Sequence, residues 1–90
     1  MSINGNCGIN ITWELNDNGC LTLSGTGQTY EYNEYGAVPW NNYKENITRI
    51  VVEDGITRLG KYLFYNCKKA VSVTLPNTLT SVDYLAFYDW

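Results

Sequence analysis

The sequence contains no histidine, and this absence limits its chemistry. Nucleophilic catalysis by Ser or Cys usually depends on a neighbouring base, most often His. Zinc sites are built mostly from His and Cys, and no two cysteines here stand at C-x-x-C spacing. Carboxylate pairs such as Glu31 with Glu34 are explained more simply by surface solvation than by acid/base work. The sequence therefore predicts no metal site, no cofactor and no enzymatic activity.

The sequence has only three cysteines, an odd number, which argues against a disulfide scaffold. Cys7, Cys20 and Cys67 cannot all pair within one chain. The hairpin predicted for the N-terminal part sets Cys7 and Cys20 near opposite ends, too far apart to form a disulfide. We therefore expect buried or half-buried free thiols.

Basic residues are also few and dispersed, with six Lys and Arg against nine Asp and Glu, and the formal net charge is −3. The only adjacent basic pair is Lys68 and Lys69. No apolar run approaches the roughly 18 to 20 residues that span a bilayer. These absences argue against nucleic-acid binding and against membrane insertion. An apolar content of 44% instead favours one small folded domain.

In the N-terminal part, apolar and polar residues alternate in the way that is typical of β-strands. Strands are predicted over residues 7–15 and 20–28, joined by the turn sequence "NDNG", which sets Leu15 opposite Cys20. The predicted apolar faces consist of Ile9, Ile11, Trp13 and Leu15 on the first strand, and Leu21 and Leu23 on the second. We therefore expect a β-hairpin.

Residues 25–46 show no clean period and are rich in Gly, Asn and Tyr, which predicts a long connection. Its aromatic residues Tyr30, Tyr32, Tyr35 and Trp40 allow two interpretations. They either cover the first apolar row of the repeats that follow or stack on sugar rings. Capping is favoured, because an uncapped repeat stack leaves its first apolar row in water.

From Ile47 onward the sequence repeats at a spacing of 23 residues. When residues 47–67 are aligned with residues 70–90, apolar residues align with apolar residues. The matched pairs include Ile50 with Val73, Val52 with Leu75, Ile56 with Leu79, Leu59 with Val82 and Phe64 with Phe87. Such a period, with the order L-x-x-L-x-L, is the signature of a leucine-rich repeat.

The period also predicts the shape of each coil. A short strand ("TRIVVE", then "VSVTL") is followed by a second extended piece ("ITRL", then "LTSV"). A helical or 3-10 turn then carries Leu63 and Phe64, or Ala86 and Phe87, into the core. Adjacent coils would pair their strands in parallel. We predict a cap over residues 1–46 and coils over 47–69 and 70–90, forming one cooperative domain.

The residues of the repeats carry a resemblance to a known family. The run "EDGITRLGKYLFYNCKKAVSVTLPNTLTSVDYLAFYDW" resembles BspA-like leucine-rich repeats, of the form I-P-x-x-V-T-x-I-G-x-x-A-F-x-x-C. The preceding stretch is similar to the segment that opens many such proteins. Its matching residues are Cys7, Gly8, Asn10, Trp13, Leu15, Gly19, Leu21, Leu23, Ser24, Gly25, Gly27, Pro39 and Trp40. Asp83 stands where the family has Gly, as at Gly60, and we expect it to distort its turn.

This resemblance implies a mainly β fold with short helical or 3-10 turns: a right-handed solenoid preceded by a β-hairpin cap. It implies a non-enzymatic protein-interaction and adhesion module of bacteria, extracellular or on the cell surface, that binds a protein, matrix or host-surface ligand. The expected ligand face consists of the outward strand residues Arg49, Val51, Glu53, Ser72 and Thr74. The alternative is a small carbohydrate-binding module using the loop 30–43.

The C-terminal coil is expected to present unpaired strand groups, which invite pairing with another chain. Its aromatic residues Phe87, Tyr88 and Trp90 add apolar surface. We therefore predict self-association through this coil, as a dimer.

Overall fold

The computed structural model describes residues 2–34 and 36–87, and in these ranges the protein is mainly β with few helical turns. The strands are β1 Ile3–Gly8, β2 Ile11–Leu15, β3 Cys20–Gly25, β4 Gly27–Gln28, β5 Arg49–Val52, β6 Ile56–Leu59, β7 Ser72–Thr74 and β8 Ser81–Val82. A 3-10 helix spans Asn41–Asn46, inside the segment predicted to be irregular.

The strands form two sheets whose parallel part follows the repeat. The five-stranded sheet has the order β1-β2-β3-β5-β7, and the three-stranded sheet has the order β4-β6-β8. Strand β5 pairs in parallel with β7, with Arg49 opposite Ser72, and β6 pairs in parallel with β8, with Arg58 opposite Ser81. Both pairings join residues 23 apart, so the predicted period and the parallel pairing of the coils are confirmed.

The N-terminal hairpin is confirmed in part and needs two corrections. Strands β2 and β3 are antiparallel as predicted, but the first predicted strand is divided in two by a turn after Gly8. Ile9 lies in that turn and is 85% exposed, so its assignment to the buried face is wrong. The additional strand β1 pairs antiparallel with β2, which makes the cap a three-stranded meander.

The register of the hairpin is shifted by one residue from the prediction. Leu15 lies opposite Leu21, not Cys20. Asn16 closes the loop: its N–H donates to the Cys20 carbonyl at 3.1 Å, and its side-chain oxygen accepts the N–H groups of Asn18 and Cys20. Gly19 has a φ of +83°. The four residues 16–19 connect the strands as predicted, with Gly in the left-handed region, and the register differs because Asn16 bonds to Cys20 and so places Leu15 opposite Leu21.

The buried apolar side chains of cap and coils form one cluster. It includes Ile11 and Leu21 from the cap and Ile50, Leu59 and Phe64 from the first coil, all at most 1% exposed. The alternation of β5 explains the inner row, because Ile50 and Val52 are buried and Arg49 is exposed. Among the described residues, no helix is long and apolar enough to cross a membrane.

Candidate interaction surface

The outer face of the five-stranded sheet presents the residues predicted to meet a ligand. Arg49 and Glu53 are exposed and Val51 is half-buried; Arg49 and Val51 lie on β5, and Glu53 follows its last residue. Ser72 and Thr74 are exposed on β7. The outward orientation of these five residues agrees with the sequence, and their role in binding stays a prediction.

Strands of the cap extend this face beyond the predicted residues. Strand β3 pairs in parallel with β5, with Thr22 opposite Val51, and Thr22 lies opposite Glu14 on β2. One row of outward positions therefore runs across Glu14, Thr22, Val51 and Thr74. The sequence carried a signal for it, since Thr22 alternates with the buried Leu21 and Leu23. Sequence reasoning missed the row because nothing local indicates that β3 pairs with a strand near residue 50.

Trp40 is a core residue, so its place in the alternative sugar-binding site is wrong, and its burial agrees with the capping interpretation that the sequence favoured. The side chain is 0% exposed, and its Nε1–H donates to the Leu63 carbonyl at 3.2 Å. Its ring lies edge-on to Trp13 with centroids 5.5 Å apart and stacks on Phe64 at 6.1 Å. Phe64 in turn meets Phe87 at 5.3 Å. These four rings form an aromatic column that runs from the cap through both coils.

The other residues of the alternative sugar site differ in how far their side chains are exposed to solvent. Tyr30 is 45% exposed, whereas Tyr32 is half-buried and packs against the core. Burial raises the pKa of Tyr32 to about 12, with smaller contributions from Cys7 and Tyr30. Tyr35 lies outside the described residues. Sugar binding by Tyr30, Tyr32 and Tyr35 stays a prediction, without the platform that Trp40 was expected to supply.

Residues 29–31 cross the first coil and attach the cap to it. The Thr29 N–H donates to the Arg58 carbonyl at 3.1 Å, and the buried Thr29 hydroxyl accepts the Gly60 N–H at 2.8 Å. A Cβ on Gly60 would lie 2.5 Å from the Tyr30 carbonyl oxygen. Gly60 is therefore required by the close approach of another backbone segment.

Arg58 joins three successive layers of the molecule by its side chain. Its guanidinium donates to the Glu31 carboxylate at 3.0 Å, to the Ser81 hydroxyl at 3.1 Å and to Asp83 Oδ2 at 3.3 Å. Asp83 Oδ1 also accepts the Leu85 N–H at 2.9 Å. The Asp83 carboxylate thus caps its own turn and pairs with Arg58, and this turn differs from that of the first coil, where Tyr62 has a φ of +55° and the equivalent Leu85 does not have a positive φ.

The cysteines offer little nucleophilic chemistry. All three are free thiols, and Cys7 and Cys67 are buried. Burial raises the pKa of Cys7 to about 12. Burial also raises the pKa of Cys67 to about 11, an effect that Lys44 partly opposes. Both thiols stay protonated near pH 7, and in the described part of the chain no group of three or more His, Cys, Asp or Glu could hold a metal ion.

The C-terminal coil exposes apolar side chains beside its strands. Val71 is 88% exposed, Leu75 45%, Val82 39% and Tyr84 87%. Phe87 is half-buried against Phe64. Tyr88 and Trp90, the other residues predicted to form a self-association edge, lie outside the described residues.

Comparison with known proteins places this architecture in a family. A family model for the BspA type leucine rich repeat region (6 copies) matches residues 41–90. A crystal structure of a leucine-rich repeat protein from Eubacterium ventriosum ATCC 27560 is similar, with a TM-score of 0.87 and 35% sequence identity. The match covers 91% of this chain and 22% of that protein. A comparison with curated proteins gave no significant match. The chain belongs to the BspA-type leucine-rich-repeat family.

Proposed function

We propose that this chain is a non-enzymatic module that binds a protein ligand through the outer face of its five-stranded sheet. The continuity of that face supports the proposal, since one row of outward residues runs from Glu14 through Thr22 and Val51 to Thr74. The strands of this face are held in place by one core, so the face loses little conformational entropy when it binds a ligand. The bacterial cell surface is the proposed location, and adhesion to a host or matrix protein is the proposed role.

The chemistry of the face favours protein over sugar. The outer side chains are mixed in chemistry: hydroxyls on Thr22, Ser72 and Thr74, acidic groups on Glu14 and Glu53, the basic Arg49 and the apolar Val51. Such a mixture suits the polar and apolar groups of a protein surface. Sugar binding commonly uses exposed aromatic rings, and Trp40, the largest ring proposed for it, is enclosed in the core.

The test compares two libraries on the same purified chain. Displayed protein fragments are selected for binding, and a glycan array is probed in parallel. A double variant, Arg49→Glu with Thr22→Lys, changes the centre of the face. Lys61→Glu serves as the control, because Lys61 follows β6 in the other sheet. Both variants are first checked by circular dichroism for an unchanged fold.

We expect selected fragments to bind the wild type and the Lys61→Glu variant equally, and the double variant at least about tenfold more weakly. Fragments that bind all three proteins equally would show that the face is not the site. A glycan-array signal abolished by Tyr30→Ala, with no fragment selected, would replace the proposal by the carbohydrate-binding alternative.

A further inference from the structure

We propose that a cleft at one end of the five-stranded sheet binds a neutral saccharide. Its walls are the loop of residues 16–19 and the 3-10 helix Asn41–Asn46, and Ile3, Leu15 and Thr48 line the space between them. The cleft has a volume of about 510 Å³, within the roughly 300–1,000 Å³ of small-molecule sites. It shares no residue with the outer face assigned to a protein ligand, so this inference goes beyond the proposed function.

The two walls are held together at their base by backbone contacts. The Gly19 carbonyl accepts the Thr48 N–H at 2.8 Å and the Arg49 N–H at 3.2 Å. A Cβ on Gly19 would lie 2.6 Å from the Asn46 carbonyl oxygen, so the loop and the helix meet at this point. Ile47, which follows the helix, is fully buried and fixes its end to the core. The cleft is therefore formed before a ligand arrives, which lowers the entropy lost on binding.

The polar side chains of the cleft suit hydroxyl groups. Asn18 and Asn46 are exposed, and neither side chain has a hydrogen-bond partner in the described part of the chain. Each amide offers two donors and an acceptor, and the carboxylates of Asp17 and Glu45 accept hydrogen bonds. A hydroxyl group both donates and accepts. Amides and carboxylates that line one cleft can therefore use both capacities of the hydroxyls on a sugar.

The apolar side chains of the cleft suit the ring of a sugar. The Tyr43 side chain lines the cleft and is 39% exposed, and the half-buried Ile3 and the buried Leu15 lie in the same lining. An aromatic ring with a polar hydroxyl offers an apolar face beside a wet edge. A saccharide ring likewise has an apolar C–H face and a polar rim, so both parts find matching groups in the cleft.

Charge selects a neutral ligand over an ionic one. The lining has two carboxylates and, among its described residues, no Lys, Arg or His, and Lys44 of the helix lies over the Tyr65 ring instead. Like charges brought together are costly, which disfavours phosphate and sulfated or carboxylated sugars. An ammonium group only donates hydrogen bonds, so it would leave the amide N–H groups of Asn18 and Asn46 without an acceptor.

The first experiment probes an array of neutral, sialylated and sulfated glycans with the purified 90-residue chain. We expect signals from neutral glycans alone. Heteronuclear NMR titration with the best neutral glycan should then shift the amide signals of residues 16–19 and 43–48 and leave those of the second coil unchanged. Tyr30→Ala and the double variant of the outer face, Arg49→Glu with Thr22→Lys, should both keep glycan binding.

The second experiment removes single groups from the cleft. Tyr43→Ala should weaken glycan binding by about tenfold, and Asn46→Ala and Asn18→Ala should each weaken it by about threefold to tenfold. Tyr84→Ala and Asn77→Ala are the matched controls, because both side chains are exposed in the second coil. The controls should bind like the wild type. Asn18 lies in an exposed loop, so its variant decides the matter if a helix variant fails to fold.

Four results would overturn the proposal. Neutral glycans could give no signal, or a signal that the Tyr43, Asn46 and Asn18 variants leave unchanged. Loss of binding in Tyr30→Ala alone would place the sugar on the tyrosine loop. Tighter binding of lysine methyl ester than of any neutral glycan would make the cleft a cation site. Failure of the outer face is a separate result, because fragment selection reads that face and the glycan titration reads the cleft.

Discussion

Two tryptophans show how the same residue type acquires different roles in this core. Trp13 and Trp40 are both buried and their rings are in edge contact. The Trp40 Nε1–H donates to the Leu63 carbonyl, whereas the buried Trp13 Nε1–H has no hydrogen-bond partner among the described residues. An unpaired buried donor costs free energy, and a paired one keeps its acceptor satisfied as well. Trp13 therefore stabilises the core through its buried area and its edge contact with Trp40.

Replacement of each indole by a phenyl ring should separate these roles. Trp40→Phe leaves the buried Leu63 carbonyl without its donor, while Trp13→Phe removes a donor that has no acceptor in the described part of the chain. We expect the free energy of unfolding to fall by about 1–3 kcal/mol more for Trp40→Phe than for Trp13→Phe. Urea unfolding followed by circular dichroism measures both. Equal losses would contradict the hydrogen-bond argument, since the two substitutions remove the same ring volume.

In each coil a turn follows the second strand, and the two coils have different residues at the equivalent position of this turn. Gly60 and Asp83 are 23 residues apart and each follows the second strand of its coil. The cap crosses Gly60 so closely that a Cβ would meet the Tyr30 carbonyl. At Asp83 the side chain accepts the Leu85 N–H and pairs with Arg58. In this chain the contact with the cap requires Gly at residue 60, whereas the second coil accommodates the Asp83 side chain.

A methyl group at each position tests this difference. Gly60→Ala forces the cap away from the first coil, and overpacking of this kind costs about 1–3 kcal/mol. Asp83→Ala keeps the Cβ that the turn already accommodates and loses polar contacts worth about 1 kcal/mol. Thermal unfolding of both variants should rank Gly60→Ala as the less stable. The reverse order would show that the close approach is relieved without cost.

Cap and coils share one core at the scale of the whole molecule. The parallel pair of β3 and β5 makes the cap meander continuous with the repeats, and the aromatic column passes from Trp13 to Phe87. The predicted division at residue 46 therefore separates segments of sequence whose buried side chains form a single cluster. Neither segment can bury its apolar face without the other.

We expect cap and coils to unfold in one transition. Leu21→Ala in β3 and Leu59→Ala in β6 each empty a fully buried site and should cost about 2–5 kcal/mol. Each should shift the whole urea transition to lower concentration, with circular dichroism and tryptophan fluorescence still coincident. A second transition in the Leu21→Ala variant, left by coils that outlast the cap, would show that the two parts fold separately.

The sequence by itself determined the repeat and its strands. The 23-residue period predicted β5 to β8 and their parallel pairing, because stacked coils must place equivalent apolar residues over one another. Alternation in β5 and β7 likewise predicted which residues of the candidate face point outward.

Only the tertiary structure decided how the cap meets the repeats. The pairing of β3 with β5, the burial of Trp40, the glycine at residue 60 and the contact of Arg58 with Glu31 all join the cap to the coils, which share no period. A local pattern records the face that a residue prefers, but not which distant backbone will cover it. The covering segment is decided when the core packs, because close packing and the pairing of buried polar groups depend on residues far apart in the sequence.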